Sequence, residues 1–217
     1  MRKTDILFDL DGTLTDPMMG ITKSVRYALE HYGIKVKSLT ELVGFIGPPL
    51  KGSFQSFYGF SDTQATEAVE KYREYFAETG IFENEIYPGI PELLEELKAQ
   101  GRRLYLATSK PTVYAERILA HFHLDTYFDF VGGSLLSGER VEKQDVIRYT
   151  LAENNIQKEA AVMVGDRKFD IEAAKALELS AIGVLYGYGS RAELTNAGAD
   201  ALVETVGELK NFLTSVN

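Results

Sequence analysis

The stretch D-I-L-F-D-L-D-G-T-L-T-D, residues 5–16, decides how this chain folds and where its chemistry lies. Ile6, Leu7 and Phe8 form an apolar run of the kind that makes a short strand buried on both faces of a parallel sheet, and the run stops at Asp9. Residues i and i+2 of an extended segment point the same way, so Asp9 and Asp11 aim two carboxylates into one space. Gly12 lets the backbone turn sharply, and Thr13 and Thr15 add hydroxyls. Two adjacent acids are costly unless a cation or a proton joins them.

Beyond Asp16 the pattern changes. Asp16-Pro17-Met18-Met19-Gly20 breaks the strand, and helical spacing follows through Ile21, Val25, Ala28, Leu29 and Tyr32, with Gly33 as a stop. A short helix is expected from Ser38, and Pro48 or Pro49 suits the first turn of the next. Ser61 and Gln64 read as a capping box opening a longer helix with Ala65, Ala68, Val69, Tyr72 and Phe76 on its apolar face, ending near Gly80. Residues 16–86 therefore read as an all-helical insertion without strands.

From Tyr87 onward helix and strand alternate. Strands are expected at residues 104–107, 127–131, 160–164 and 181–185, with helices at 92–100, from Pro111, at 143–153, and through Ile171, Ala174 and Leu177. Two short helices should follow, opened by Ser190 with Glu193 and by Thr205 with Glu208. This rhythm indicates an α/β fold, a Rossmann-like parallel sheet with helices on both faces, joined by right-handed crossovers. Residues 1–15 and 87–217 form the core, and 16–86 an all-helical cap inserted after the first strand.

The chain has 217 residues, 45% of them hydrophobic and 25% charged, an ordinary balance for a globular protein. A formal charge of -9 with no basic cluster argues against nucleic acid as a partner. With no cysteine, thiol chemistry is excluded, and only His31, His121 and His123 offer imidazole. No signal-like or membrane-spanning apolar run is found, which leads to the expectation of a cytoplasmic protein with no membrane partner; a monomer or homodimer is expected.

In such a sheet ligands bind beyond the carboxyl ends of the strands. Strand one delivers Asp9 and Asp11, strand two Thr108 and Ser109, and strand four Asp166 with Asp170 one helical turn later, while Lys143 opens the helix before strand four. Four carboxylates in one crevice suit a hard divalent ion, most simply Mg²⁺. Lys143 and the amides of the helix after Pro111 would serve an anion such as phosphate. Plainer readings stand beside these: a lone Asp at a strand end usually caps a helix, Asp170 could do only that, and Lys143 could be a solvated lysine replaced by Arg140 or Arg148. The three histidines read as surface or packing residues, and Gly187-Tyr188-Gly189 as a loop.

D-L-D-G-T at 9–13, A-T-S-K at 107–110, Lys143 and G-D-R-K-F-D at 165–170 together resemble, in order and spacing, the motifs of the haloacid dehalogenase superfamily of phosphohydrolases. The resemblance spans nearly the whole chain. Its helical insertion looks like the small cap of the phosphoglycolate phosphatase subgroup, and I-G-P-P-L at 46–50 with L-Y-G-Y-G-S-R at 185–191 looks closest to bacterial 5'-nucleotidase-like members.

The resemblance implies an Mg²⁺-dependent phosphomonoesterase acting on a small phosphorylated metabolite, a nucleoside 5'-monophosphate or phosphoglycolate. Asp9 would form an aspartyl phosphate and Asp11 would serve as acid and base. Metal would be held by the Asp9 carboxylate, the Asp11 carbonyl, Asp166 and Asp170. Thr108, the Ser109 amide and Lys143 would hold the phosphoryl group, Phe169 would pack rather than react, and the cap would act as a lid hinged at residues 16–20 and 86–89. Phe45, Phe54, Tyr58 or Tyr188 could stack on a base, whereas Lys51 and Arg73 read as an ordinary charged helix face. A phosphomutase uses the same core, and a phospho-accepting signalling or binding protein is the alternative of another class. A dehalogenase would not need Asp11 as an acid.

Overall fold

In the computed structural model, which describes residues 3–215, the opening apolar run lies in strand β1 (Asp5–Phe8), buried along its whole length. The chain then makes a two-residue strand β2 (Thr15–Asp16), helices α1 (Met18–His31), α2 (Leu50–Tyr58) and α3 (Asp62–Phe76), and a two-residue strand β3 (Glu85–Ile86). Helices and strands alternate from there: α4 (Ile90–Ala99), β4 (Arg103–Pro111), α5 (Thr112–His121), β5 (Phe130–Ser134), α6 (Lys143–Glu153), β6 (Ala161–Gly165) and α7 (Lys168–Ala176). Then come β7 (Ser180–Val184), α8 (Arg191–Asn196), β8 (Ala201–Val203) and α9 (Val206–Ser215). Two compact units result, one of the chain up to Asp16 and from Ile86 onward, the other Pro17–Glu85.

The first unit is a six-stranded parallel sheet of order β5-β4-β1-β6-β7-β8 covered by helices, an α/β Rossmann-like fold. The register sets Phe8 beside Leu106 on one side and Val164 on the other, so Asp9 leaves the sheet level with Ala107 and Gly165. Strand order reverses between β1 and β6, and ligands of open α/β sheets bind at that point of reversal.

Alternation along the strands divides the core. Leu7, Tyr105, Ala107, Ala161, Met163 and Ala181 pack with Val146 and Ile147 of α6 and Ile171 and Ala174 of α7. Ile6, Phe8, Leu104, Leu106, Val162 and Val164 project to the opposite face and are as deeply buried. Each such side chain contributes about 1.5–3 kcal/mol on leaving water. Because Asp9 follows Leu7 by two residues, it points to the face that α6 and α7 cover.

Four details differ from the sequence-based expectation. Strand β4 does not stop at Ala107 but stays extended through Pro111, with a register irregularity between those residues. The third strand begins at Phe130 rather than Tyr127, because Asp125–Tyr127 turns as a 3-10 helix and Asp129 pairs its own amide and carboxylate with Leu104. Strand β8, too short to show a period, closes the sheet edge beside β7. The two-residue strands β2 and β3 pair with each other, where no strand was expected between residues 16 and 86.

The second unit is helical around Val25, Ala28, Leu29, Phe45, Phe54, Ala68 and Phe76. The capping box at Ser61 is complete: its hydroxyl accepts from the Gln64 amide, and the Gln64 side chain accepts from the Ser61 amide. Helix α3 ends at Phe76, and a 3-10 turn at Gly80–Phe82 follows. Among the described residues no helix is long and apolar enough to cross a membrane.

Candidate active site

The turn after β1 is held from within. The Leu10 carbonyl accepts from the amides of Leu14 (2.9 Å) and Thr15 (3.1 Å), and the Gly12 amide donates to Thr15 (2.8 Å). Gly12 has φ +83°, and a Cβ there would lie 2.2 Å from Asp166 Oδ2, so both conformation and space require glycine. The Asp9 amide donates to the Val164 carbonyl at 2.9 Å, anchoring the turn to β6.

Four carboxylates converge here, and all are buried: Asp9, Asp11, Asp166 and Asp170. Oxygens of Asp9, Asp166 and Asp170 lie within 4.8 Å of one another, a spacing that a metal ion could bridge. The Asp11 side chain stands outside that trio. Its Oδ2 meets Lys110 Nζ at 2.8 Å, while its Oδ1 is buried without a hydrogen-bond partner among the described residues.

Lys143, first residue of α6, reaches down beside β4 and donates to the Ala107 carbonyl at 3.0 Å. Its ammonium also lies 2.7 Å from Asp9 Oδ1 and 2.8 Å from Asp170 Oδ1. The ammonium thus spends one donor on the Ala107 carbonyl and meets the two carboxylates as ion-pair partners. Neither arginine considered as a substitute takes this place, since Arg140 lies over the Tyr149 ring and Arg148 pairs with Asp145.

Asp166 follows β6 with no exposed surface, and its Oδ2 accepts from the Tyr188 amide at 2.8 Å. Asp170 does cap its helix, accepting from the Arg167 amide at 3.0 Å, yet its other oxygen faces Lys143. Asp170 therefore caps its helix and faces the other acids at the same time. Phe169 lies under the cations of Arg167 and Lys168.

Burial sets the protonation balance. It lifts Asp166 well above the usual carboxylate range, and the neighbouring Asp170 and Asp9 lift it further. Burial likewise raises Asp170 to about 6 against the pull of Lys143, and raises Asp11 against the pull of Lys110. For Lys143 burial opposes the charge, but Asp170 and Asp9 outweigh it and hold the ammonium above its ordinary value.

Four acids face two lysines, so two negative charges stay uncompensated when all are ionised. That is the charge of a divalent cation, and an all-oxygen donor set fits a hard one. The residues present fit such an ion.

Thr108 is buried at the same strand edge, and its hydroxyl accepts from the Lys110 amide at 3.2 Å. The Ser109 carbonyl accepts from the Ser134 hydroxyl at 2.8 Å. Lys110 is a site residue that sequence pattern did not single out. The cue lay in β4 itself: once the strand is extended through Pro111, Thr108 and Lys110 fall on one side by alternation.

Several other candidates lie elsewhere. Phe45 and Phe54, 2% and 0% exposed, are mutually packed in the core of the helical unit, so neither offers a face for stacking. Tyr58 packs against Phe45 and Phe60 in the same cluster. Tyr188, by contrast, lies at the site, with its amide on Asp166 and its hydroxyl on Asp16. Lys51 pairs with Asp62, and Arg73 lies on α3. His31 pairs with Glu67, and His121 and His123 lie at the end of α5 and just beyond it.

A family model described as haloacid dehalogenase-like hydrolase matches residues 6–184. The chain is 48% identical over 194 residues to a 5'-nucleotidase of Pseudomonas aeruginosa, covering 89% of this chain and 88% of that protein. It is 36% identical over 211 residues to the tyrosine-protein kinase PtkA of Mycobacterium tuberculosis, covering 96% and 72%. A phosphoglycolate phosphatase of Colwellia psychrerythraea matches at 28% over 217 residues, 96% of each chain. The crystal structure of a predicted phosphatase from Clostridium acetobutylicum superposes with a TM-score of 0.97 at 48% identity over 100% of both chains. With the four motifs gathered on one sheet edge and the family model spanning most of the sequence, this chain belongs to the haloacid dehalogenase-like hydrolases.

Proposed function

We propose that this protein is an Mg²⁺-dependent phosphomonoesterase acting on a small phosphorylated metabolite, with a nucleoside 5'-monophosphate as the leading substrate and phosphoglycolate as the next. The observation that carries the reading is the division of labour between two buried acids two residues apart: Asp9 faces Lys143, and Asp11 faces Lys110. The preference for a nucleotide rests on the 5'-nucleotidase relative.

In this reading Asp9 attacks phosphorus in line, the bond to the leaving oxygen breaks, and an aspartyl phosphate forms. Asp11 gives its proton to the departing oxygen, and burial raises its affinity for that proton. It then takes a proton from water as the water attacks phosphorus and frees Asp9. Lys143, Thr108 and the Ser109 amide bind the phosphoryl oxygens. The carboxylates of Asp9, Asp166 and Asp170 and the Asp11 carbonyl would hold the ion, which would supply charge neutralisation for the phosphoryl group. The helical unit is assigned the choice of leaving group.

The test is phosphate release with Mg²⁺ across nucleoside monophosphates, phosphoglycolate and sugar phosphates, with Asp9→Asn as control. Turnover concentrated on nucleotides supports the reading, and a peak on phosphoglycolate moves it to that substrate. Asp9→Asn should release no phosphate above background, and retention of activity would exclude the covalent route. Asp11→Asn should slow turnover by about 10²- to 10⁴-fold. The kinase relative favours one alternative, transfer from a nucleoside triphosphate to a tyrosine hydroxyl, and a tyrosine peptide with labelled triphosphate in the same panel would reveal it.

A further inference from the structure

The loop after β7, with the sequence L-Y-G-Y-G-S at 185–190, has no part in the chemistry above, yet it lies directly against the acids. A Cβ on Gly187 would stand 2.3 Å from the Gly12 carbonyl and 2.4 Å from Asp166 Cβ, and one on Gly189 only 1.9 Å from the Asp166 carbonyl. The two glycines thus let this backbone run in contact with Asp166.

The intervening tyrosines extend the grip. The Tyr186 hydroxyl donates to the Thr13 carbonyl at 3.0 Å, and its ring meets Tyr87 edge-on at 5.0 Å. Tyr188 donates twice, through its amide to Asp166 Oδ2 at 2.8 Å and through its hydroxyl to Asp16 Oδ1. Among the described residues, the hydrogen bonds to the Asp166 carboxylate come from that amide and, at 3.4 Å, from Thr13 Oγ1.

We propose that Tyr188 is a positioning residue of the metal centre: anchored by its hydroxyl on Asp16, it presents its amide to Asp166 and fixes the rotation of that carboxylate. The proposal rests on the reading of Asp166 as a metal ligand. Groups that orient a ligand typically matter about 10- to 100-fold for metal affinity or activity. Loss of the hydroxyl frees the loop to drift and lets the Asp166 carboxylate turn.

The experiment is titration of the metal-free protein with Mn²⁺, free ion being read by its electron paramagnetic resonance, so that no turnover is needed. Tyr188→Phe keeps the ring and amide and should weaken binding by about tenfold. Asp16→Ala should weaken it equally, and the double variant should be no worse than either single one, as expected for two halves of one contact. Asp16→Asn retains Oδ1 as an acceptor and should restore wild-type affinity. Under phosphatase assay Tyr188→Phe should lower kcat at constant KM when Mg²⁺ is limiting.

A purely structural role would lower the melting temperature of Tyr188→Phe and leave its Mn²⁺ affinity unchanged, and that result would overturn the inference alone. Additive losses in the double variant would overturn it as well. Wild-type protein that binds no Mn²⁺ would remove the metal centre and this inference together.

Discussion

Lys143 is the residue on which the site's electrostatics turn. It is buried between Asp9 and Asp170, so removing its charge leaves two close carboxylates in a poor solvent. Lys143→Met should destabilise the metal-free protein by about 3–5 kcal/mol, read by urea unfolding in EDTA, because breaking a buried pair strands its partners. Added Mg²⁺ should recover part of that loss, whereas no recovery would place the cation elsewhere. Of the residues involved, Asp9, Asp11 and Asp166 were legible from where strands end, and Asp170 and Lys143 from the helix starts beside them taken with the motif series. Lys110 was not, because its side chain reaches Asp11 only if β4 stays extended past Ala107, and that extension follows from pairing with β5.

At the scale of elements, close approach rather than propensity sets the sensitive points. Helix α1 presses on the turn at residues 80–82 so tightly that a Cβ on Gly20 would lie 1.9 Å from the Gly80 carbonyl. Gly20→Ala should cost about 1–3 kcal/mol by thermal or urea unfolding, since backbone has to move to admit the methyl. Ser61→Ala should cost about 1 kcal/mol, because only the cap of the exposed start of α3 is lost. A neutral Gly20→Ala with a severe Ser61→Ala would overturn the packing described for the helical unit. The capping box was legible because its two partners are three residues apart, while the Gly20 contact joins residues sixty positions apart and leaves no local trace.

For the whole molecule, the crowded acids link folding to pH and to metal. Asp170 has its pKa raised from 3.8 to about 6, so the folded metal-free protein holds that proton more tightly than the unfolded chain does. As pH rises from about 4 to about 6, ionisation of Asp170 therefore removes stability, and above that window the loss is complete. Asp170→Asn should flatten this part of the stability profile, measured in EDTA. Mg²⁺ favours the ionised carboxylates, so its stabilising shift in melting temperature should be larger near pH 7.5 than near pH 5. An equal shift at both would detach the metal from these acids. By itself the sequence determined the succession of the longer strands and helices, though not the short β2, β3 and β8, the helical insertion after the first strand, and the acids that follow strands, because hydrophobic period and turn residues act over a few neighbours. Tertiary structure alone decided the strand order around β1, which lysine faces which acid, the burial of Phe45 and Phe54 in their own unit, and the hold of Tyr188 on Asp166. Those are pairings between segments far apart in the chain, and they are settled by which surfaces pack rather than by any local pattern.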